Sequence, residues 1–104
     1  MAQFDVHRNP APSKTRVPFL LDVQADLLKV LATRLVIPLV KPAEVANQLV
    51  RYLHFEVEVE GQRLIALGSE LAAIPVKALG RRVGNLATRR TEIVRAIDVL
   101  ITGV

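Results

Sequence analysis

The sequence contains no cysteine and no tryptophan, and it has few aromatic side chains of any kind. Phe and Tyr make up only 4% of its 104 residues, while hydrophobic residues make up 51%. The lack of cysteine excludes disulfide scaffolds and cysteine-ligated zinc or iron–sulfur centres. The shortage of aromatics disfavours a base-stacking platform for single-stranded nucleic acid. We therefore expect a core of Val, Leu, Ile and Ala in one domain, spanning residues 1–104.

The side chains needed for covalent catalysis are also scarce. Ser13 and Ser69 are the only serines, and neither lies in a G-x-S-x-G setting. The glycine-containing segment 80–84 lacks the lysine and the Ser or Thr of a phosphate-binding loop. We predict no catalytic residues, no cofactor and no enzymatic activity, and expect a protein that works by binding another macromolecule.

One stretch has the residue types of a metal site. His54, Glu56, Glu58 and Glu60 alternate with apolar residues, which places them on one face of a strand. Residues two apart on a strand lie roughly 6.6–6.8 Å apart, which is wide for ligands of one ion. Alternation with core residues already explains the pattern, so we predict no metal site.

The net charge of +4 is unevenly distributed along the chain. Segment 77–95 holds six basic side chains and only one acidic side chain, so this segment alone carries +5. Such a patch favours phosphate or an acidic protein surface, although a solvated helix face is an equal alternative. The candidates for a basic partner surface are Arg89, Arg90 and Arg95.

No part of the sequence indicates a membrane span or a signal peptide. A span needs roughly 20 continuous apolar residues, and no run here approaches that length. The first twelve residues carry charges and prolines where a signal peptide would be apolar. We predict a cytoplasmic protein.

Apolar periodicity predicts a mainly β chain that ends in one helix. Residues 9–13 and Gly61-Gln62 are predicted as turns, 26–33 as a loop with one helical turn, and 43–53 as either a helix or a loose connection. Val23, Val36, Ile37 and Leu39 are expected in the core, and Pro38 is expected at an edge or bulge. The predicted strands are 3–8, 16–24, 34–40, 53–60, 63–67 and 72–76.

The last segment changes to a helical period, and the chain stays apolar to its end. Asn85 or Thr88 is predicted to cap the helix at its start, and Gly103 to end it. Val94 and Ile101 widen the apolar stripe. The stripe itself consists of Leu86, Ile93, Ile97, Leu100 and Val104.

Several segments, in order and spacing, resemble the CcdB toxins of toxin–antitoxin modules. The match runs nearly from end to end and begins at Gln3-Phe4, with a small insertion in the turn at 9–15. The segments are FLLDVQADLL at 19–28, RLVIPL at 34–39, IPV at 74–76 and AIDVL at 96–100, ahead of the terminal Gly103-Val104.

The resemblance implies both a fold and a function. The fold would be an SH3-like β-barrel of the CcdB/MazF type, with antiparallel strands, a small extra sheet and one long C-terminal α-helix. The function would be that of a homodimeric toxin that binds the A subunit of DNA gyrase, traps the gyrase–DNA cleavage complex and blocks replication. A CcdA-like antitoxin would neutralise the toxin. Operator DNA would be reached only through the toxin–antitoxin complex, which represses its own operon and serves plasmid maintenance.

The same resemblance assigns the contact residues. The end of the helix would bind gyrase, with a nearby contribution from the loop that follows the DVQ-D motif. One position departs from the best-known pattern, because Thr102 stands where that pattern has tryptophan. This implies either a different set of contacts with gyrase or a weak or inactive toxin. The implied gyrase-binding residues are Asp98, Ile101, Thr102, Gly103, Val104, Leu27 and Leu28.

Two alternatives remain open at the level of sequence. The related MazF-type barrel serves endoribonuclease toxins, and Arg81 and Arg82 are candidates for holding RNA. The other alternative is a non-toxic family member that acts only as an antitoxin-binding module.

Overall fold

The structure, a computed structural model, describes residues 2–45 and 49–103. In this part of the chain seven strands precede one helix, and short 3₁₀ turns connect them. The strands are β1 (Asp5–Arg8), β2 (Phe19–Asp22), β3 (Thr33–Val40), β4 (His54–Val59), β5 (Gln62–Leu67), β6 (Ala72–Pro75) and β7 (Arg82–Asn85), and the helix is α1 (Arg90–Thr102).

The strands form one antiparallel sheet that curves into a half-barrel. Its order is β4-β5-β3-β2-β1-β7, and β6 branches from the first half of β3. Strand β3 is the centre of the arrangement because it pairs with β2 on one side and with both β6 and β5 on the other. The predicted mainly β fold with a C-terminal helix is confirmed.

Strands β2 and β3 are largely buried on both faces, as their nearly continuous apolar runs indicate. Successive side chains on a strand point to opposite faces, so Leu21 and Ile37 join one core cluster while Leu20 and Val36 join the other. The helix covers the first cluster through Ile93. The predicted core residues Val23, Val36, Ile37 and Leu39 are all buried.

The β4–β5 hairpin shows the predicted alternation but not the predicted turn. Phe55, Val57 and Val59 face the core. Because Val59 pairs with Gln62, the two-residue turn is Glu60-Gly61 rather than Gly61-Gln62. Both turn residues have positive φ, 53° and 73°, as a type I′ hairpin requires.

Pro38 lies inside β3, at the point where the strand changes partners. On one side it pairs with Leu20, and on the other side it falls between the β6 and β5 pairings. Val23 N donates to Leu35 O, so these two residues form a hydrogen-bonded pair. Because hydrogen-bonded and non-hydrogen-bonded pairs alternate along an antiparallel ladder, Leu20 and Pro38, three residues further along, form a non-hydrogen-bonded pair. The Pro38 nitrogen therefore points away from β2, into that gap. The strand therefore tolerates proline because the missing donor faces no partner strand.

The start of the helix differs from the prediction. Neither Asn85 nor Thr88 caps α1, which follows a 3₁₀ turn over Ala87–Arg89. Asn85 Oδ1 instead accepts a hydrogen bond from Ala87 N at 2.8 Å and opens that turn. Strand β7 was not predicted, because its sequence RVGN contains a single large apolar side chain.

Two other predicted segments have different outcomes. Residues 26–33 contain the expected single turn, over Asp26–Leu28. The interpretation of 43–53 as a helix or loose connection lies partly outside the described residues, since 46–48 are not among them. The described parts of that segment are a 3₁₀ turn over Pro42–Glu44 and an irregular stretch that leads into β4.

Candidate partner-binding surface

The inner face of α1 fixes the helix against the half-barrel. Ile93 and Ala96 are fully buried, and Leu86 and Ile97 pack partly against the core. Gly68 allows the close approach, because a Cβ at that position would lie 3.1 Å from the Ala96 Cβ and would collide with the Leu53 carbonyl oxygen. Sequence periodicity did not single out Ala96, since alanine adds little to an apolar stripe.

The outer face of the helix is an exposed surface of mixed character. Arg90, Thr91, Val94, Arg95 and Asp98 line an open groove of about 420 Å³ along it. Ile101, two turns beyond Val94 and one turn beyond Asp98, keeps 72% of its surface exposed. Leu100 is also exposed, so the outer part of the predicted stripe does not belong to the core. Val94 is exposed as well, so the outer part of the helix presents several apolar side chains, which is typical of an interaction surface.

The end of the helix has a defined backbone conformation. Gly103 adopts the left-handed region at φ 79°, and its N–H donates to Val99 O at 2.9 Å, so the predicted helix end is confirmed. Thr102 Oγ1 donates to Asp98 O at 2.6 Å, which turns the hydroxyl back onto the helix. A Cβ at Gly103 would meet no atom within 4 Å, so this end projects into open space. Val104 lies outside the described residues.

The three arginines predicted as a basic surface do not share one environment. Arg89 turns inward: it forms two hydrogen bonds with the Glu92 carboxylate, and its Nη2 donates to Glu56 O at 2.7 Å. The hydrogen bond with Glu92 raises the pKa of Arg89, and the same bond lowers the pKa of Glu92. Arg89 therefore joins the helix to β4, and only Arg90 and Arg95 face the groove.

Aromatic rings hold the two outward arginines. The Arg90 guanidinium lies 5.6 Å from the centre of the Phe4 ring, and that of Arg95 lies 4.8 Å from the centre of Tyr52. Arg51 approaches the same Tyr52 ring at 4.7 Å. Tyr52 has a left-handed backbone, at φ 68°, and remains exposed. Sequence reasoning missed Arg51 and Tyr52, and no local pattern marks them.

Leu27 and Leu28 lie in the loop between β2 and β3, on a second exposed apolar surface. Their side chains are 88% and 45% exposed. Val30 and Leu31, which were not predicted as site residues, are exposed in the same loop. The sequence does contain a pattern that indicates this surface: four large apolar residues lie close together in a segment that belongs to no predicted strand or helix.

The DVQ-D motif is the anchor of this loop rather than part of its surface. Asp22 binds the buried Arg34, and the Gln24 amide accepts from Leu35 N and donates to Leu28 O. Asp26 Oδ1 accepts from Gln3 N. These bonds fix both ends of the loop while leaving its leucines exposed. Over residues 2–45 and 49–103, no hydrogen bond or ion pair joins the loop to α1.

The polar face of β4 makes intramolecular contacts. The carboxylates of Glu56 and Glu60 pair with Arg63 and Arg8. His54 Nδ1 accepts from Val50 N, so its Nε2 carries the proton and donates to Ser69 Oγ at 2.7 Å. Burial lowers the pKa of His54, and Glu70 opposes this shift. In this tautomer His54 cannot remove a proton from Ser69, so the pair is not an activated nucleophile.

No group of three or more metal-ligating side chains comes together within the described ranges. Likewise, no helix in that part of the chain is long and apolar enough to cross a membrane.

Comparison with known proteins supplies the family. The family profile described as CcdB protein matches residues 3–103, nearly the whole chain. The chain belongs to the CcdB family. It is therefore a toxin of the toxin–antitoxin type, and an antitoxin is its expected partner.

A solved structure is similar in fold. It is described as an endoribonuclease in complex with its cognate antitoxin from Mycobacterial species, with a TM-score of 0.76 and 10% sequence identity. The match covers 97% of this chain and 94% of the other chain. At that identity the likeness supports a shared fold and carries no statement about activity.

Proposed function

We propose that this CcdB-family chain is a non-enzymatic toxin that binds the A subunit of DNA gyrase and holds the gyrase–DNA cleavage complex. The contact surface is the outer, C-terminal part of α1, formed by Asp98, Ile101, Thr102 and Gly103, together with Val104. The observation that carries the proposal is the exposure of Ile101 beside a helix end that projects freely from the half-barrel.

Several physical features support this surface. The helix is held from behind by buried Ile93 and Ala96, so its outer face is already in a fixed position before binding. A preformed surface avoids the entropic cost of ordering a loop. Burial of Ile101 in a complex would contribute about 2 kcal/mol, which is roughly thirtyfold in affinity.

The exposed leucines of the β2–β3 loop complete the proposal. Leu27 and Leu28, with Val30 and Leu31, place four exposed apolar side chains within five residues, interrupted only by Lys29, and exposed apolar groups of this kind mark protein contact sites. In the proposed homodimer two such loops and two helix ends are available to gyrase. Simultaneous contact through both copies of the toxin would increase avidity.

The antitoxin is proposed to compete at the same helix. Arg90 and Arg95 line the outer groove, and Arg51 approaches the same Tyr52 ring as Arg95. A peptide with acidic and apolar side chains complements this combination. Repression of the operon, with operator DNA bound through the toxin–antitoxin complex, is part of the same proposal.

The direct experiment is gyrase-mediated cleavage of supercoiled DNA, with the purified chain and with a variant that lacks Gly103 and Val104. In the presence of the full chain, linear DNA is expected to accumulate when gyrase is denatured. The truncated chain is expected to lose binding to a gyrase A fragment while keeping the same far-ultraviolet circular dichroism. Unchanged poisoning by the truncated chain would contradict the assigned surface.

The endoribonuclease fold of the structural neighbour makes RNA cleavage the second function to test. Incubation of the same preparation with a labelled single-stranded RNA, without gyrase, separates the two functions. Accumulation of RNA fragments, abolished by Arg81→Gln, would favour the endoribonuclease. A chain that affects neither gyrase nor RNA but binds antitoxin would favour the non-toxic binding module.

A further inference from the structure

A second basic region lies away from the helix, at the other end of β1. Asn9, Pro10, Lys14 and Pro18 form one wall of a cleft of about 400 Å³, and Gly80 and Arg81 form the other wall. Arg8, whose backbone bonds to Gly80 and Arg81, also lines the cleft. The first wall belongs to the β1–β2 connection, the place where the sequence has a small insertion relative to the familiar CcdB pattern.

The Gly80 wall is held tightly against β1. Gly80 N donates to Arg8 O at 2.9 Å, Arg8 N donates to Arg81 O at 2.9 Å, and His7 Nδ1 donates to Gly80 O at 3.0 Å. A Cβ at Gly80 would lie 2.6 Å from Arg8 O, so only glycine permits this approach. The register of β1 and β7 shifts just beyond, at Val6 and His7. These contacts fix the backbone of Arg81 beside Arg8.

The opposite wall is equally ordered, through one buried side chain. Asn9 Nδ2 donates to Ser13 Oγ at 3.0 Å and to Val17 O at 2.9 Å, while its Oδ1 accepts from Ala11 N. Asn9 is buried, and it folds the connection into a compact turn that carries Lys14. Three cationic side chains thus border one cleft on fixed backbone segments.

The charges in the cleft are only partly neutralised. Arg8 pairs with Glu60 at 2.9 Å, in an ion pair that is itself exposed. Lys14 and Arg81 form no ion pair with any residue in the described ranges. Three cations and one carboxylate leave a net charge of about +2 at this place, which attracts an anionic ligand.

We infer that this cleft docks the phosphate backbone of a nucleic-acid duplex. The duplex carries one negative charge per roughly 1.7 Å of its axis, so adjacent phosphates can meet all three cations. Among the described lining residues none is aromatic, so the contact does not involve base stacking and reads no sequence. This inference does not rest on the gyrase proposal, since it concerns direct contact of the toxin with nucleic acid.

Fluorescence anisotropy with a short random-sequence DNA duplex tests this inference on the full chain. Binding is expected to weaken with salt, with a slope of log K against log salt of about −2 to −3 for three phosphate contacts. The double variant Lys14→Gln/Arg81→Gln is expected to bind at least about tenfold more weakly at about 50 mM salt. Its slope of log K against log salt is expected to be about two units less steep, since two phosphate contacts are lost. An RNA duplex is expected to behave like DNA, because the contact is to the backbone.

The matched control is Lys41→Gln/Lys77→Gln, which removes two positive charges from exposed side chains that do not line the cleft. This control is expected to keep the wild-type slope. If the two double variants lost the same affinity for the duplex, the effect would come from net charge alone, and the inference would be overturned. Undetectable duplex binding by the wild-type chain, or cleft-dependent binding of poly-glutamate in place of the duplex, would also overturn it.

Discussion

Asp22 and Arg34 form an ion pair in the interior of the protein. The carboxylate and the guanidinium are separated by 2.7 Å, and neither side chain has any exposed surface. Asp22 lies at the end of β2 and Arg34 near the start of β3, so the pair joins the two strands where the exposed loop leaves the sheet. Arg34 Nη1 has no hydrogen-bond partner among the described residues. The pair therefore supports the loop at the cost of one unsatisfied donor.

Removal of one partner of this pair should destabilise the protein strongly. Asp22→Ala leaves an uncompensated buried guanidinium and is expected to lower the free energy of unfolding by about 3–5 kcal/mol. Arg34→Met is expected to have a comparable effect, because the Asp22 carboxylate then remains buried. The double variant should recover much of the loss, since no charge is left alone. Urea unfolding of the three variants measures this, and additive losses would contradict the coupling.

Substitution at Ile101 tests the proposed gyrase surface without touching the core. Ile101→Ser is expected to weaken binding of a gyrase A fragment by roughly tenfold to a hundredfold, because the apolar contact is lost. Its midpoint of thermal unfolding should hardly change, since the side chain is already exposed. Val30→Ser tests the second part of the proposed surface, the β2–β3 loop, through an exposed apolar side chain, and is expected to weaken binding less than Ile101→Ser. A larger loss at Val30 than at Ile101 would place the main contact on the loop.

Thr102 provides the converse test, because it stands where the best-known family pattern has tryptophan. Thr102→Trp adds a large apolar side chain on the proposed contact face and is expected to strengthen gyrase binding by about tenfold or more. The variant gives up the short bond from Thr102 Oγ1 to Asp98 O, which costs the exposed helix end little. Thr88→Trp, exposed before the helix, should leave the affinity unchanged. Titration against an immobilised gyrase A fragment compares the three chains.

The contact between Arg89 and Glu92 predicts an acid-dependent loss of stability. The hydrogen bond with Arg89 lowers the pKa of Glu92, outweighing the opposing effect of burial. A carboxyl group whose pKa is lower in the folded state than in the unfolded state stabilises the fold at any pH above its unfolded-state pKa, near 4.5. This stabilisation is lost as the pH falls through the lower, folded-state pKa.

Arg89→Met should therefore reduce the difference in unfolding free energy between neutral pH and a pH of about 3. Because Glu92 is partly exposed, the reduction is expected to stay within about 1 kcal/mol. Arg63→Met, which removes an exposed ion pair with Glu56, is the control and should change the pH profile less. Identical profiles for the two variants would show that Arg89 and Glu92 are no more than a surface pair.

Local sequence patterns were sufficient to predict the elements whose side chains alternate or run apolar without interruption. The buried face of β4 and the apolar runs of β2 and β3 followed from periodicity, since such a pattern has few ways to be buried. The left-handed end of the helix followed from Gly103, because glycine adopts that conformation without steric cost. The family resemblance extended these predictions to a toxin, and the family match agrees.

Features that depend on residues distant along the chain emerged only from the folded arrangement. Strand β7 exists because β1 offers it a partner, not because RVGN favours a strand. Arg89 is not part of the basic surface, because it bonds to the Glu92 carboxylate and to the Glu56 carbonyl oxygen. Arg95 contacts the ring of Tyr52, which lies over forty residues earlier in the chain. The cleft beside Arg8 joins residues from distant parts of the chain. A local sequence pattern fixes which side chains are to be buried, whereas charge partners and clefts arise only where separate segments meet.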